Sequence, residues 1–514
     1  MTPGGQPDPM SRGPVSPGGT DIMVSAASPA TERRLDRSTR VFYGLGSVAF
    51  GVKDNGFSFM LMLFYNQVLG VPASLVALAL LTALVFDAVI DPMIGHLSDN
   101  FRSAWGRRHP FMYAAALPVA VSYAALWNPP DLTAQGLFLY LTVLAVVIRT
   151  FIAFYEVPSS ALAAEFTSGY DDRSVLLSYR FFFAWIGGLS IQALAFGVLL
   201  KPDATHAVGQ LNPEGYARYG LIASIIMLVA IVVSAAGTHR HIPTLRAPPE
   251  KRRKSLGQTL SEVRETLNNR SFLFLLASSI ATALAGGLAA SMNGYFNTFF
   301  WGFSAAQISV ITLGVFVSAF VALPAAPLLS RRFGKKHTAM LLALLSLLIG
   351  IGPVLLRLAG LFPANGSPQL FGILFTTSIV GVTCGIIAST MGSSMIADVV
   401  EEAEFKTGRR SEGLFFAASA FVGKSVSGFG ILAAALLIDA IGLQPGVAPA
   451  DMPAEVIHRM GAVYAPVIIM LYLTGFALLS GYRISRESHA ATLRALAADA
   501  EEAAHPFPVK EDHR

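Results

Sequence analysis

The chain has 514 residues, of which 53% are hydrophobic and 13% charged, against roughly 25% charged residues in an average soluble domain. That composition excludes an ordinary soluble globular fold and calls for a bilayer as solvent. The single cysteine, Cys384, rules out an intrachain disulfide and a multi-cysteine metal site. The formal charge of +5 sits mostly in short links between apolar stretches, so membrane topology accounts for it and nucleic acid is not needed as a partner.

In chain order, residues 1–40, opening "MTPGGQPDPMSRGPVSPGGT", are rich in Pro, Gly and Ser and lack a continuous apolar h-region. They are expected to be a disordered cytoplasmic tail, not a signal peptide, with Met10 and Met23 as alternative starts. With about 20 residues needed per crossing, twelve apolar segments follow: 42–68, 74–97, 111–128, 135–163, 175–200, 218–237, 271–300, 306–329, 338–358, 370–397, 411–439 and 462–482. Lys and Arg concentrate in the links after segments 2, 4, 6, 8 and 10, which puts both termini in the cytoplasm. The long basic link 239–270 divides the chain into expected six-helix bundles at 41–238 and 271–483. The tail 484–514 is predicted to form a short surface helix with a disordered tip.

"LSDNFRSAWGRRH" after segment 2 returns as "LSRRFGKKH" after segment 8, the corresponding point of the second set of six. The fold class expected is an all-α integral membrane protein with the major facilitator arrangement, in which two six-helix bundles rock about a site at mid-membrane.

Eight ionisable residues fall inside the segments and away from their ends: Lys53 and Asp54, Asp87 and Asp91, Arg149 and Glu156, Arg180, and Lys424. A charge near the bilayer centre costs from a few to roughly ten or more kcal/mol, so function is the usual reason to keep one. Asp87 and Asp91 are one helical turn apart and share a face. Two carboxylates so close do not both ionise freely, so one takes a proton or the pair takes a cation. Pro92 frees the carbonyl of Ala88 in the same turn. The bland alternative is that these aspartates merely pair with basic side chains of neighbouring helices.

Asp99, beside Arg102 and Arg107, is expected to be a loop lock that gates between conformations. Lys53 balances Asp54, and Arg149 stands two turns from Glu156 as a possible structural partner. Pro158 is expected to break the helix ladder after Glu156, and Asn293, Tyr295 and Asn297 offer hydrogen bonds to a polyol. Tyr155, Trp185, Phe57 and Tyr179 have the character of packing or interfacial aromatics. "FVGKS" at 421–425 ends like a phosphate loop but has Ala418 where the first glycine is required. No GxSxG, HExxH or Cys/His metal set occurs, so neither an enzyme nor a catalytic residue is expected.

"YGLGSVAFGVKDNG", "FDAVIDPMIGHLSDNFRSAWGRRHPFM", "YEVPSSALAAEF" with "DDRSVLLSYRFFF", and "ADVVEEAEFKTGRRSEGLFFAASAFVGKS" together resemble the glycoside-pentoside-hexuronide:cation symporter family, from about Arg40 to Arg483. The resemblance implies that Asp87 and Asp91 form the cation site and that Asp54, Glu156 and Arg180 lie near the sugar, with Lys53 and Lys424 also matching family positions. Arg149 joins the substrate-side candidates from burial cost.

Three departures matter. Ile90 and Ala153 stand where sodium-using relatives have Asn and Thr ligands, which leans towards H+ over Na+ as coupling ion; Asp87 and Asp91 would ligate a metal only if sodium is used. Ser160 replaces a sugar-stacking Trp, so disaccharide specificity does not transfer. The expected function is cation-coupled symport of a sugar or glycoside across a bacterial inner membrane, with no cofactor and no obligate protein partner. Uptake of another amphiphile, such as a lysolipid or glycosylated natural product, and a non-transporting receptor or sensor are the alternatives.

Overall fold

The computed structural model describes residues 36–167, 170–245, 269–407 and 412–504. The expectations for residues 1–35, for 246–268 of the central link and for the tip at 505–514 fall outside them. Among the described residues every regular element is helical, and eleven helices are long and apolar enough to cross a membrane.

The first crossing is built in pieces: α1 (Arg37–Leu45), α2 (Ser47–Asn55), a π-helical stretch Gly56–Met60, α3 (Leu61–Leu63) and a second π-helical stretch Phe64–Val68. Wide π turns inside a helix commonly sit beside functional groups, and Asp54 lies at the first of them. Then come α4 (Ala73–Asn100), α5 (His109–Leu126), α6 (Ala134–Phe166), α7 (Tyr170–Leu194) and α8 (Pro213–His239). The second half comprises α9 (Arg270–Tyr295), α10 (Ala305–Phe333), α11 (Lys335–Leu358), α12 (Pro368–Thr407), α13 (Glu412–Ile441) and α14 (Ala454–Ser480). A last helix, α15 (Arg486–Ala504), forms where the surface helix is expected.

Two boundaries lie eight or more residues from expectation. Helix α14 starts eight residues before the predicted 462, because Pro453 and the polar first turn AEVIHR extend it beyond the apolar run, and α12 runs past 397 through a charged turn. Helix α6 continues unbroken through Pro158, as α4 does through Pro92. A proline removes one hydrogen bond without ending a helix that its neighbours hold on both sides.

Within the first half α4 packs on α6, α5 on α6 and α8, and α2 on α7; within the second, α9 packs on α13 and α14, α10 on α12, and α11 on α12 and α14. Small residues set the closest approaches. A Cβ at Gly51 would lie 1.9 Å from the carbonyl oxygen of Ala184 on α7, and one at Gly430 on α13 would lie 2.5 Å from that of Leu284 on α9. The contact of segment 1 with segment 5 is thus repeated between segments 7 and 11. Gly106 and Gly334, which open "GRRH" and "GKKH", both have positive φ (74° and 76°), a turn that glycine makes without strain. The sequence repeat is therefore also a backbone repeat.

The two halves meet along α4 with α13, α7 with α10, and the first π stretch with α9. At the end away from the termini, Tyr295 donates to Asn66 Oδ1 (2.9 Å), Gln210 to the Phe303 carbonyl (2.7 Å) and Ser309 to the Ala193 carbonyl (2.8 Å). These bonds tie the halves together there.

Candidate functional site

Mid-depth between the halves, α4 carries Asp87 and Asp91 on one face, as their spacing predicts. Asp87 is buried, at 6% exposure, and its Oδ2 takes two cations: Arg149 Nη1 from α6 at 2.9 Å and Lys424 Nζ from α13 at 2.6 Å. Lys424 Nζ is also 2.9 Å from Asp91 Oδ2. The ammonium from the second half therefore bridges both carboxylates of the first. Lys424 and Asp91 are much more open than Asp87, at 42% and 35% side-chain exposure.

In the sequence Arg149 is both a candidate partner of Glu156 and a substrate-side candidate. It instead turns to Asp87, with its guanidinium over the Phe57 ring at 5.3 Å. Two turns along a helix are about 10 Å, whereas α4 lies against α6 directly. Glu156 pairs with Arg180 from α7, and Arg180 donates further to Ser159 Oγ at 3.0 Å and Tyr43 at 3.4 Å. Five residues on three helices thus make one polar group around Arg180, if Tyr155, which shares a hydrogen bond with Ser159, is counted.

Lys53 is buried over the Phe50 ring at 4.5 Å and reaches Asp54 at 3.5 Å, the balancing role expected of it. Asp54 is 60% exposed, so its carboxylate is available to a solute.

Of the other candidates, Tyr295 is fully buried in the tie to Asn66, so its hydroxyl is not open to a solute in this structure. Asn297 donates to Asn293 at 2.9 Å. Tyr155 is buried and bonded to Ser234, and Trp185 is 45% exposed on α7.

At the termini-bearing end, Asp99 pairs with Arg108 at 2.6 Å, a different partner from the Arg107 or Arg102 expected. Arg107 takes Glu165 on α6 at 2.8 Å, and Arg108 shares that carboxylate at 3.0 Å. The second half repeats one pair of this arrangement, while Lys336, the counterpart of Arg108, donates to the Ser480 and Tyr482 carbonyls and Arg331 takes the place of Asp99 in the repeat. Lys335, the counterpart of Arg107 in "GKKH", binds Asp398 on α12 at 2.5 Å. Helix α15 is pinned to the same place: His489 bonds Glu401 and lies 3.5 Å from Asp398. Burial first, and then the Asp398 carboxylate, push the Tyr482 hydroxyl up, so it stays protonated and donates to Asp398. Asp398, Glu401 and His489 are spaced to ligate a metal ion. In this structure Lys335 lies on Asp398 Oδ1, and His489 Nε2 on Glu401 Oε2.

Sequence reasoning missed Arg108, Glu165, Asp398 and His489. A signal existed for Glu165 in "AAEF" at the end of segment 4, a carboxylate that faces the basic turn; Asp398 lies ahead of the matching "EAEF" and had no such signal.

Comparison with known proteins places these features. The family model described as MFS/sugar transport protein matches residues 42–486. An uncharacterized symporter of Synechocystis is 27% identical, covering 89% of this chain and 96% of its own. The isoprimeverose transporter of Lactiplantibacillus pentosus is 24% identical (86% and 90%), and the sodium-dependent lysophosphatidylcholine symporter 1 of Gallus gallus 23% identical (91% and 90%). The fold is shared with the inward-open xylose transporter of E. coli, at a TM-score of 0.58 and 15% identity over 89% of this chain and 99% of that one. A helical multi-pass architecture, matched over 445 of 514 residues, makes the chain a member of the MFS/sugar transport family, one of its glycoside-pentoside-hexuronide:cation symporter-like secondary transporters.

Proposed function

We propose that the protein is a cation-coupled symporter of a sugar or glycoside in a bacterial inner membrane, with both termini cytoplasmic, working by alternating access and using a proton rather than sodium. The observation that carries this reading is Lys424, whose ammonium from one half occupies the space between Asp87 and Asp91 of the other. A coupling ion and Lys424 compete for the same oxygens. Loading the ion frees Lys424 and loosens a tie between the halves at the depth where they must move. Because ion and solute both act on that one equilibrium, each raises the affinity for the other, and either gradient drives the other.

Asp54, Glu156 and Arg180 supply acceptors and donors for hydroxyl groups, the chemistry a polyol needs. The positive-inside distribution of Lys and Arg supports cytoplasmic termini. On that orientation the Tyr295, Gln210 and Ser309 bonds close the outer side, and the exposed Asp54 opens to the cytoplasm. The absence of oxygen ligands at Ile90 and Ala153 supports the proton.

A second reading has its own support. Helix α7 exposes Phe181, Phe182 and Trp185 one to five residues beyond Arg180, and one relative is named for lysophosphatidylcholine. An amphiphile would use that apolar strip, and a small sugar would not.

Counterflow and uptake by the full-length protein in vesicles, screened over labelled monosaccharides, glycosides and lysolipids with separate proton and sodium gradients, test both. Saturable glycoside uptake with alkalinisation on substrate addition is expected. Uptake of lysolipid alone would overturn the sugar reading, and no gradient-dependent uptake of any solute would overturn symport.

A further inference from the structure

We propose that Arg149 decides which ion this carrier couples to: held against Asp87, it leaves Asp91 as the one carboxylate that an ion enters and leaves, and so restricts coupling to a proton. The inference rests on the symport reading and assigns its ion selectivity to a residue outside the aspartate pair.

Two cations meet at Asp87 Oδ2, and they are held differently. Lys424 comes from the opposite half and is 42% exposed, so movement of the halves or arrival of an ion withdraws it. Arg149 comes from α6, which packs on α4 within the same half, and its residue is 7% exposed beneath Phe57. A guanidinium keeps its charge under all working conditions. Leaving Asp87 would strand Arg149 as a buried, unpaired charge, and Asp87 with it whenever Lys424 is withdrawn, and Asp87 is the only carboxylate paired with Arg149 among the described residues. The Arg149–Asp87 pair therefore persists through the cycle, while the Lys424 contacts come and go.

The charged groups that act on Asp91 are Asp87 on its own helix, Lys424 from α13 and Lys53 from α2, with Arg149 from α6 against Asp87. With Lys424 withdrawn, Arg149 cancels Asp87, Asp54 balances Lys53, and one negative charge remains, on Asp91. A proton needs one carboxylate oxygen. A metal cation needs several oxygens converging on it, as hard cations do in proteins generally. Here it would share Asp87 Oδ2 with a guanidinium, and like charges crowded onto one oxygen repel. Ile90, between the aspartates, and Ala153, one turn along α6 from Arg149, supply no oxygen in compensation.

The test uses purified full-length protein, with thermal unfolding followed as NaCl replaces choline chloride at constant ionic strength. Wild type is expected to show no sodium-specific shift, and Ile90→Asn alone to stay sodium-blind because Arg149 remains. The double variant Arg149→Gln/Ile90→Asn is expected to gain a saturable sodium-specific rise in Tm of several degrees, and in vesicles at least a tenfold stimulation of uptake by sodium. Three results would overturn the proposal: a saturable sodium shift in wild type that Asp87→Asn removes, a sodium response in Ile90→Asn alone, or a folded double variant that ignores sodium. The wild-type and Ile90→Asn measurements can each overturn the proposal even if the double variant does not fold. The unfolding shift needs no substrate, so it is readable separately from a failure to find a transported glycoside.

Discussion

At the termini-bearing end the two halves of the molecule share a turn and an ion pair, and at mid-depth, among the described residues, they share no such charged element. Arg107 on Glu165 is answered by Lys335 on Asp398, with Gly106 and Gly334 making the same turn. Mid-depth, the first half contributes seven ionisable side chains and the second only Lys424. A gate must close from both sides, so both halves keep its parts. A binding site needs fixed chemistry on one side and a movable reporter on the other, and there the repeat has diverged.

The comparison breaks most readily at the reporter. Lys424→Ala removes the one basic side chain that the second half sends to Asp87 and Asp91 among the described residues. Gradient-driven accumulation in vesicles is expected to fall by about two powers of ten or more, the scale of losing one partner of a buried charge cluster. Undiminished accumulation would mean the second half senses nothing through Lys424.

Next in size is a difference within the aspartate pair. Asp87→Asn strands buried Arg149 and is expected to cost about 3–5 kcal/mol of stability, seen as a lower midpoint in thermal unfolding. Asp91→Asn, at a half-open position, should cost clearly less while abolishing coupling. Equal losses would contradict the distinction between a fixed and an exchangeable carboxylate.

The gate offers a smaller effect that sharpens the repeat. Arg107→Ala and Lys335→Ala each remove a charge-assisted bond worth about 1.5–3 kcal/mol, and comparable falls in unfolding midpoint are expected. A loss confined to one half would show that the repeat is one of sequence and backbone without shared work. Smallest is Tyr295→Phe at the opposite end, which deletes one hydrogen bond between the halves, about 0.5–1.5 kcal/mol. Hydrogen exchange of residues 64–68 is expected to quicken about two- to tenfold.

Much of the site was legible because charge is expensive in a bilayer. Asp54, Asp87, Asp91, Glu156, Arg180 and Lys424 stood out on that ground before any neighbour was known. Their pairings were not legible. Seven residues along one helix suggested Arg149 with Glu156, but a long side chain picks its partner from the helix alongside, and α4 put Asp87 within reach. Asp99 found Arg108 for the same reason: which of two adjacent arginines turns inwards depends on how the 101–108 loop meets α6. Tyr295 carried no sign in its own segment that it would be buried against Asn66 of the other half.

By itself, then, the sequence determined the number of crossings, the internal repeat and the depth of the charges, because hydropathy and the cost of burial act on each segment separately. The tertiary structure decided which charges are partners and which one crosses between the halves. Those choices are set by distances of a few ångströms between helices far apart in the chain, and no local pattern encodes them.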